Sequence, residues 1–118
     1  MFSADGELLA SGGSDGVVKF WQVATGKEFV ALTGMDGYIT ALTFSPDGKR
    51  LATGSDDGAI RLWDVLTGQL MMALTKHKES VIFLTFTRNM ERLISGSATG
   101  EVYFWDAALL SAVSKGDQ

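Results

Sequence analysis

The sequence predicts an all-β chain of three antiparallel meanders, each of four short strands, the first lacking most of its innermost strand. Three observations carry this. Trp21, Trp63 and Trp105 stand 42 residues apart, and Phe2, Phe44 and Phe86 keep the same interval without an insertion; a period of this length marks a repeat architecture. Runs such as Val17-Val18-Lys19-Phe20-Trp21 are β-branched and aromatic and are bounded by Gly-containing turns, which favours strand over helix. Within the best-preserved unit, Leu42 and Phe44 alternate with Ala41 and Thr43, and Ile60 and Leu62 with Arg61 and Trp63. Neither face is uniformly polar, so the sheet is expected to be packed on both sides.

The first unit opens at Met1-Phe2, already inside the repeat, because Phe2-Ser-Ala-Asp-Gly matches Phe44-Ser-Pro-Asp-Gly. Asp5-Gly6 is a turn pair tolerant of positive φ. Leu8 to Ser11 is a short strand, Gly12 to Gly16 a second turn, Val17 to Trp21 a strand, and Glu28 to Leu32 the strand after Thr25-Gly26. The second unit is complete: strands at Tyr38 to Phe44, Arg50 to Gly54, Ala59 to Asp64 and Gln69 to Leu74, with turns at Asp47-Gly48, Asp57-Gly58 and Thr67-Gly68. The third has strands at Val81 to Phe86, Arg92 to Gly96 and Glu101 to Trp105. Its turns are altered: Asn89-Met90 replaces Asp-Gly and Leu109-Leu110 replaces Thr-Gly, which leaves the last strand around Leu110 to Val113. Units are expected near 1–34, 35–76 and 77–113, with 114–118 as a polar tail.

Composition excludes several roles. With 46% hydrophobic residues among 118, the chain is too apolar to be disordered. A formal net charge of −4 disfavours nonspecific binding to nucleic acid or to anionic membrane. No cysteine is present, so thiolate metal sites and disulfides are excluded. No apolar run approaches the roughly 20 residues of a membrane helix. The expected setting is cytoplasmic.

Ser-Pro-Asp-Gly at the first turn and Trp-Asp at the end of the third strand, recurring in phase, resemble the WD-repeat family of β-propellers over almost the whole chain. The resemblance implies four-stranded blades set radially around a channel, about 4 to 8 in a ring. It also implies a hydrogen-bonded set of His, Ser or Thr, Asp and Trp within a blade. Carried over, the first unit offers Ser11, Asp15 and Trp21; the second Met35, Thr53, Asp57 and Trp63; the third His77, Ser95, Thr99 and Trp105. No set is complete. The missing Asp–His bonds would each be worth about 1.5–3 kcal/mol. Three blades do not close a ring, so either the chain is part of a larger propeller, the favoured expectation, or copies of it complete one another.

Candidate chemistry is sparse. His77 is the single histidine, and Ser80 follows closely, but a nucleophile and base among loop neighbours lack an orienting third group. Asp56-Asp57-Gly58 lacks the alternating oxygen ligands and distal Glu of a calcium loop. The Gly12 to Gly16 run lacks the spacing and helix of a phosphate cradle. The strands Tyr38 to Phe44 and Val81 to Phe86 carry no carboxylate or histidine for a hydrolase site at a channel mouth. No catalytic residue, cofactor or metal is expected. The resemblance instead implies a noncatalytic platform for protein or peptide binding, through loops holding Met35, Asp36, Gly37, Tyr38, Asp56, Lys76, Lys78, Glu79 and Thr99. The alternative is a docking or regulatory segment of a larger enzyme, such as a protein kinase.

Overall fold

The computed structural model describes residues 1–3, 5–12, 16–32, 38–89 and 92–106, with the backbone alone for 29–31. Among these residues ten strands are formed: β1 (Leu8–Gly12), β2 (Val18–Gln22), β3 (Glu28–Leu32), β4 (Ile39–Phe44), β5 (Arg50–Ser55), β6 (Ile60–Asp64), β7 (Leu70–Leu74), β8 (Val81–Phe86), β9 (Arg92–Ser97) and β10 (Val102–Asp106). They make three antiparallel sheets in the orders β1-β2-β3, β4-β5-β6-β7 and β8-β9-β10. The strand expected around Leu110 to Val113 lies outside the described residues. No helix among those described is long and apolar enough to cross a membrane.

The turns are built locally and repeatedly. At Asp47-Gly48 the Ser45 hydroxyl donates to Asp47 Oδ1 at 2.6 Å, the Lys49 N–H donates to the same oxygen at 3.0 Å, and Gly48 takes φ 73°. Ser3 and Glu7 repeat this on Asp5 at 2.6 and 2.9 Å. Ser55 and Ala59 repeat it on Asp57. The altered turn of the third sheet is bridged by comparable bonds among its described residues. Thr87 Oγ1 donates to Asn89 Oδ1 at 2.8 Å, and the Arg92 N–H donates to Thr87 Oγ1 at 3.0 Å. An amide oxygen accepts such bonds as a carboxylate does, so losing the Asp-Gly pair did not cost this sheet its hairpin.

The sheets lean on one another face to face through two apolar cores. The first joins Ala10, Val18, Phe20 and Leu32 of one sheet to Phe44, Leu51, Trp63 and Val65 of the next. Here Phe20 and Phe44 pack with ring centroids 5.9 Å apart at 36°. The second joins Ala52, Ile60, Leu62 and Leu74 to Val81, Leu84 and Leu93, with Phe86 and Trp105 at its margin. The middle sheet is therefore covered on both faces. Close approach depends on two glycines: a Cβ on Gly12 would lie 2.6 Å from Ile39 Cγ2, and one on Gly54 2.6 Å from Val81 Cγ1. At the innermost strands, register shifts between Ile39 and Ala41 and between Val81 and Phe83 mark bulges. They turn Thr40 and Ile82 outward, as an extra residue in one strand must. Thr40 Oγ1 donates to the Val81 carbonyl, which ties β4 to β8.

Candidate functional site

One bond recurs in all three sheets. Trp21 Nε1 donates to Ser11 Oγ at 3.1 Å, Trp63 to Thr53 Oγ1 at 3.0 Å and Trp105 to Ser95 Oγ at 2.9 Å. Each links the third strand of a meander to the second, and at Trp63 it satisfies an indole N–H that burial would otherwise strand. Asp57 serves its own turn, accepting from the Ser55 hydroxyl and the Ala59 N–H, with Arg61 Nη2 at 4.0 Å. Burial pushes the Asp57 carboxyl up, but these bonds and the Arg61 charge outweigh it and hold the pKa below its ordinary value. Asp15 and Met35 lie outside the described residues.

The third sheet extends the bond into a chain of three. Ser95 Oγ, which accepts from Trp105, also lies 2.7 Å from His77 Nε2, and both His77 and Ser95 are buried. Ser95 Oγ, which already accepts from Trp105, donates to His77 Nε2 or accepts from it according to the imidazole tautomer, and the second ring nitrogen is Nδ1. That Nδ1 is buried without a hydrogen-bond partner. Thr99, which stands where the second sheet has Asp57, lies 3.0 Å from Ser97 Oγ. Burial lowers the His77 pKa, and the Glu101 charge opposes it only in part. His77 thus works as a neutral structural wedge, and its depressed basicity follows from the burial.

Tyr103 completes this corner, and sequence reasoning missed it. Its ring packs on His77 at 4.6 Å and on Trp105 at 6.0 Å, while Lys76 Nζ sits 4.7 Å from its centroid. A signal was available: Tyr103 falls where the other two units have Lys19 and Arg61. With threonine in place of the turn aspartate, a cation there would lose the partner that Arg61 has. An aromatic ring instead shields the histidine and accepts Lys76 on its face.

The loops expected to meet partners converge at one end of the second and third sheets. The Tyr38 N–H donates to Asp56 Oδ1 at 3.1 Å, and the Asp56 N–H donates to the Tyr38 carbonyl at 3.1 Å, leaving the phenol ring exposed. The Ala98 N–H to Ser80 carbonyl bond, 2.9 Å, repeats this link in the third sheet. The Asp56 to Gly58 turn presses on the 77–79 loop: a Cβ on Gly58, already at φ 86°, would collide with the His77 carbonyl and lie 3.0 Å from that of Glu79. Tyr38, Asp56, Lys78 and Glu79 are thereby brought to one rim, with Lys76 held over Tyr103. Met35, Asp36 and Gly37 lie outside the described residues. No group of three or more His, Asp or Glu that could hold a metal occurs among those described.

Antiparallel meanders of three and four described strands packed side by side, fastened by indole to hydroxyl bonds, define blades of a β-propeller. Comparison with known proteins agrees. The WD40 family, described as WD domain, G-beta repeat, matches residues 1–22, 26–64 and 68–106. The chain belongs to the WD40 repeat family. It is 45% identical over 40 residues to an uncharacterized WD repeat-containing protein of Nostoc sp., covering 34% of this chain and 3% of that protein. It is 51% identical over 39 residues to the ribosome biogenesis protein BOP1 homolog of Caenorhabditis elegans, covering 33% and 6%. Two solved structures, U3-55K and the RRP9 WD40 repeats, superpose with TM-score 0.88 at 25% identity over 92% of this chain, which spans 35% and 34% of theirs.

Proposed function

We propose that the chain is a noncatalytic platform that holds a protein or peptide segment against the rim formed by Tyr38, Asp56, Lys76, Lys78 and Glu79. The observation that carries this is the contact of the Asp56 to Gly58 turn with the 77–79 loop, which fixes side chains from two blades on one surface. Tyr38 offers a large amphipathic anchor whose backbone is already tied at both its N–H and its carbonyl, so little ordering entropy remains to be lost on binding. Lys76 and Lys78 supply positive charge in a chain of net charge −4, suited to a partner with acidic groups near an apolar contact. The WD40 repeats support a binding role in general. The matched proteins' names speak for those proteins, of which this chain spans small fractions.

The test uses a displayed random-peptide library selected on the chain. Tyr38→Ala with Lys78→Ala is expected to weaken the selected peptides by roughly tenfold or more, the loss of a central anchor, with an unchanged circular dichroism spectrum. Unchanged affinity for every selected peptide would place the binding surface elsewhere.

A further inference from the structure

Thr75, Lys76, Lys78 and Glu79 are exposed, and His77 in their midst is 3% exposed. The loop that supplies Lys76, Lys78 and Glu79 to the rim is thus anchored by one side chain. That side chain is an imidazole whose Nε2 meets Ser95 Oγ at 2.7 Å and whose Nδ1 is buried without a hydrogen-bond partner among the described residues. Tyr103 covers it at 4.6 Å and carries Lys76 Nζ on its ring. The backbone bears on the second sheet, since the Asp56 to Gly58 turn lies against the His77 and Glu79 carbonyls. One titratable group therefore holds the loop, the placing of a rim lysine and the seam between two blades.

Taking the rim as the binding surface, as proposed above, we infer that His77 is its pH-sensitive latch: neutral, it holds the 75–79 loop down, and on gaining a proton it leaves its pocket and loosens the loop. The protonated imidazole has an N–H at both ring nitrogens. Ser95 Oγ can accept the one on Nε2. The one on Nδ1 has no acceptor among the described residues, and a buried charged donor left unpaired costs far more than a neutral one. The surroundings do not offset that cost. Thr99 stands where the second sheet has the Asp57 carboxylate, and it is paired with Ser97. Glu101, in the turn between β9 and β10, favours the charged form, but burial outweighs it. Lys76 lies across the Tyr103 ring as a like charge, and within the loop Lys78 and Glu79 are exposed. From the second sheet, Asp56 accepts from the Tyr38 N–H, and Asp57 is engaged by Ser55, Ala59 and Arg61. Strand β9 meets the imidazole with Ser95 and β10 with Tyr103. His77 is a positioning residue: it acts on the rim through the loop that carries it.

The test has a ligand-free arm and a ligand arm, each run at about pH 7.5 and about pH 5.5, on either side of the ordinary histidine range. In the first, a glutamate-specific endoproteinase is applied, and scission after Glu79 is measured by mass spectrometry relative to the same site in His77→Gln. The ratio is expected to rise about threefold to tenfold at the lower pH, within the limit that uptake of one proton sets, while circular dichroism is unchanged. A ratio equal at both pH values overturns the latch. So does a loss of circular dichroism in step with cleavage, which would mean that the whole chain opens. Thr99→Asp, which adds a carboxylate to the turn, should lower the ratio, and it serves as the reference if His77→Gln does not fold. In the second arm, a histidine-free peptide selected on the chain at the higher pH is expected to bind more weakly at the lower pH by a similar factor, and to bind His77→Gln equally at both. A peptide that needs Tyr38 and Lys78 yet binds as tightly or more tightly at the lower pH overturns the latch and leaves the rim standing. Peptides indifferent to Tyr38 and Lys78 overturn the rim as the binding surface, and the protease arm then decides the latch by itself.

Discussion

The second and third sheets share a strand plan and most of a sequence pattern, yet among the described residues only the second is covered on both faces. Trp63 is buried within the core shared with the first sheet, while Trp105 is partly buried at the margin of the core shared with the second. Both indoles make the same bond to a hydroxyl on the adjacent strand. The local fastening is thus independent of how far the sheet is covered, whereas the energy the residue contributes depends on the neighbour. The third sheet adds the buried His77 and the Tyr103 lid at the corner where the second has the Asp57–Arg61 pair.

Truncating the two tryptophans gives the largest test of that contrast. Trp63→Ala is expected to cost about 3–5 kcal/mol, the range for a buried large aromatic, and Trp105→Ala clearly less, both read from urea midpoints. Equal losses would mean that the hydroxyl bond, and not burial, dominates.

The glycines give a smaller and more local contrast. Gly54→Ala drives a methyl into Val81 and should destabilise by about 1–3 kcal/mol as overpacking does. Gly96→Ala, whose Cβ would meet nothing nearer than Phe83 Cβ at 3.5 Å, should leave the thermal midpoint nearly unchanged. A comparable loss at both positions would show that backbone conformation, and not the neighbouring sheet, selects glycine there.

The smallest expected effect is a pH dependence confined to the third sheet. Because burial lowers the His77 pKa, the unfolded chain takes up a proton near its ordinary pKa of about 6.5 while the native chain resists. The unfolded state then binds more protons. Stability is complete above about pH 7 and falls as pH drops through about 6.5 toward the lower native pKa. The chain has one histidine, so His77→Gln should flatten the midpoint between pH 7 and 5.5. A slope that survives the substitution would assign the effect to other groups. Thr99→Asp, which sets a carboxylate where the second sheet has one, should reduce the slope by favouring the charged imidazole.

Much of this was legible in advance. The Trp and Phe interval gave the blades, and the Ser-x-Asp-Gly turns could be read because each is closed by bonds within a few residues. The turn at Asn89 was harder, since its change of residue type looked like decay although its oxygen still accepts the bond. Tyr103 escaped notice because its partners, Lys76 and His77, are more than twenty residues away in sequence and adjacent only once β9 and β10 have paired.

By itself the sequence determined the repeat, the strand direction, the turns and the placing of each tryptophan opposite a hydroxyl, because these depend on side chains near one another along the strand or across one hairpin. Only the tertiary structure decided which copy of a residue is dry. Leu62 and Phe104 occupy the same repeat position, yet one is buried and the other faces solvent. Burial is set by what lies against a face, and that neighbour belongs to another sheet.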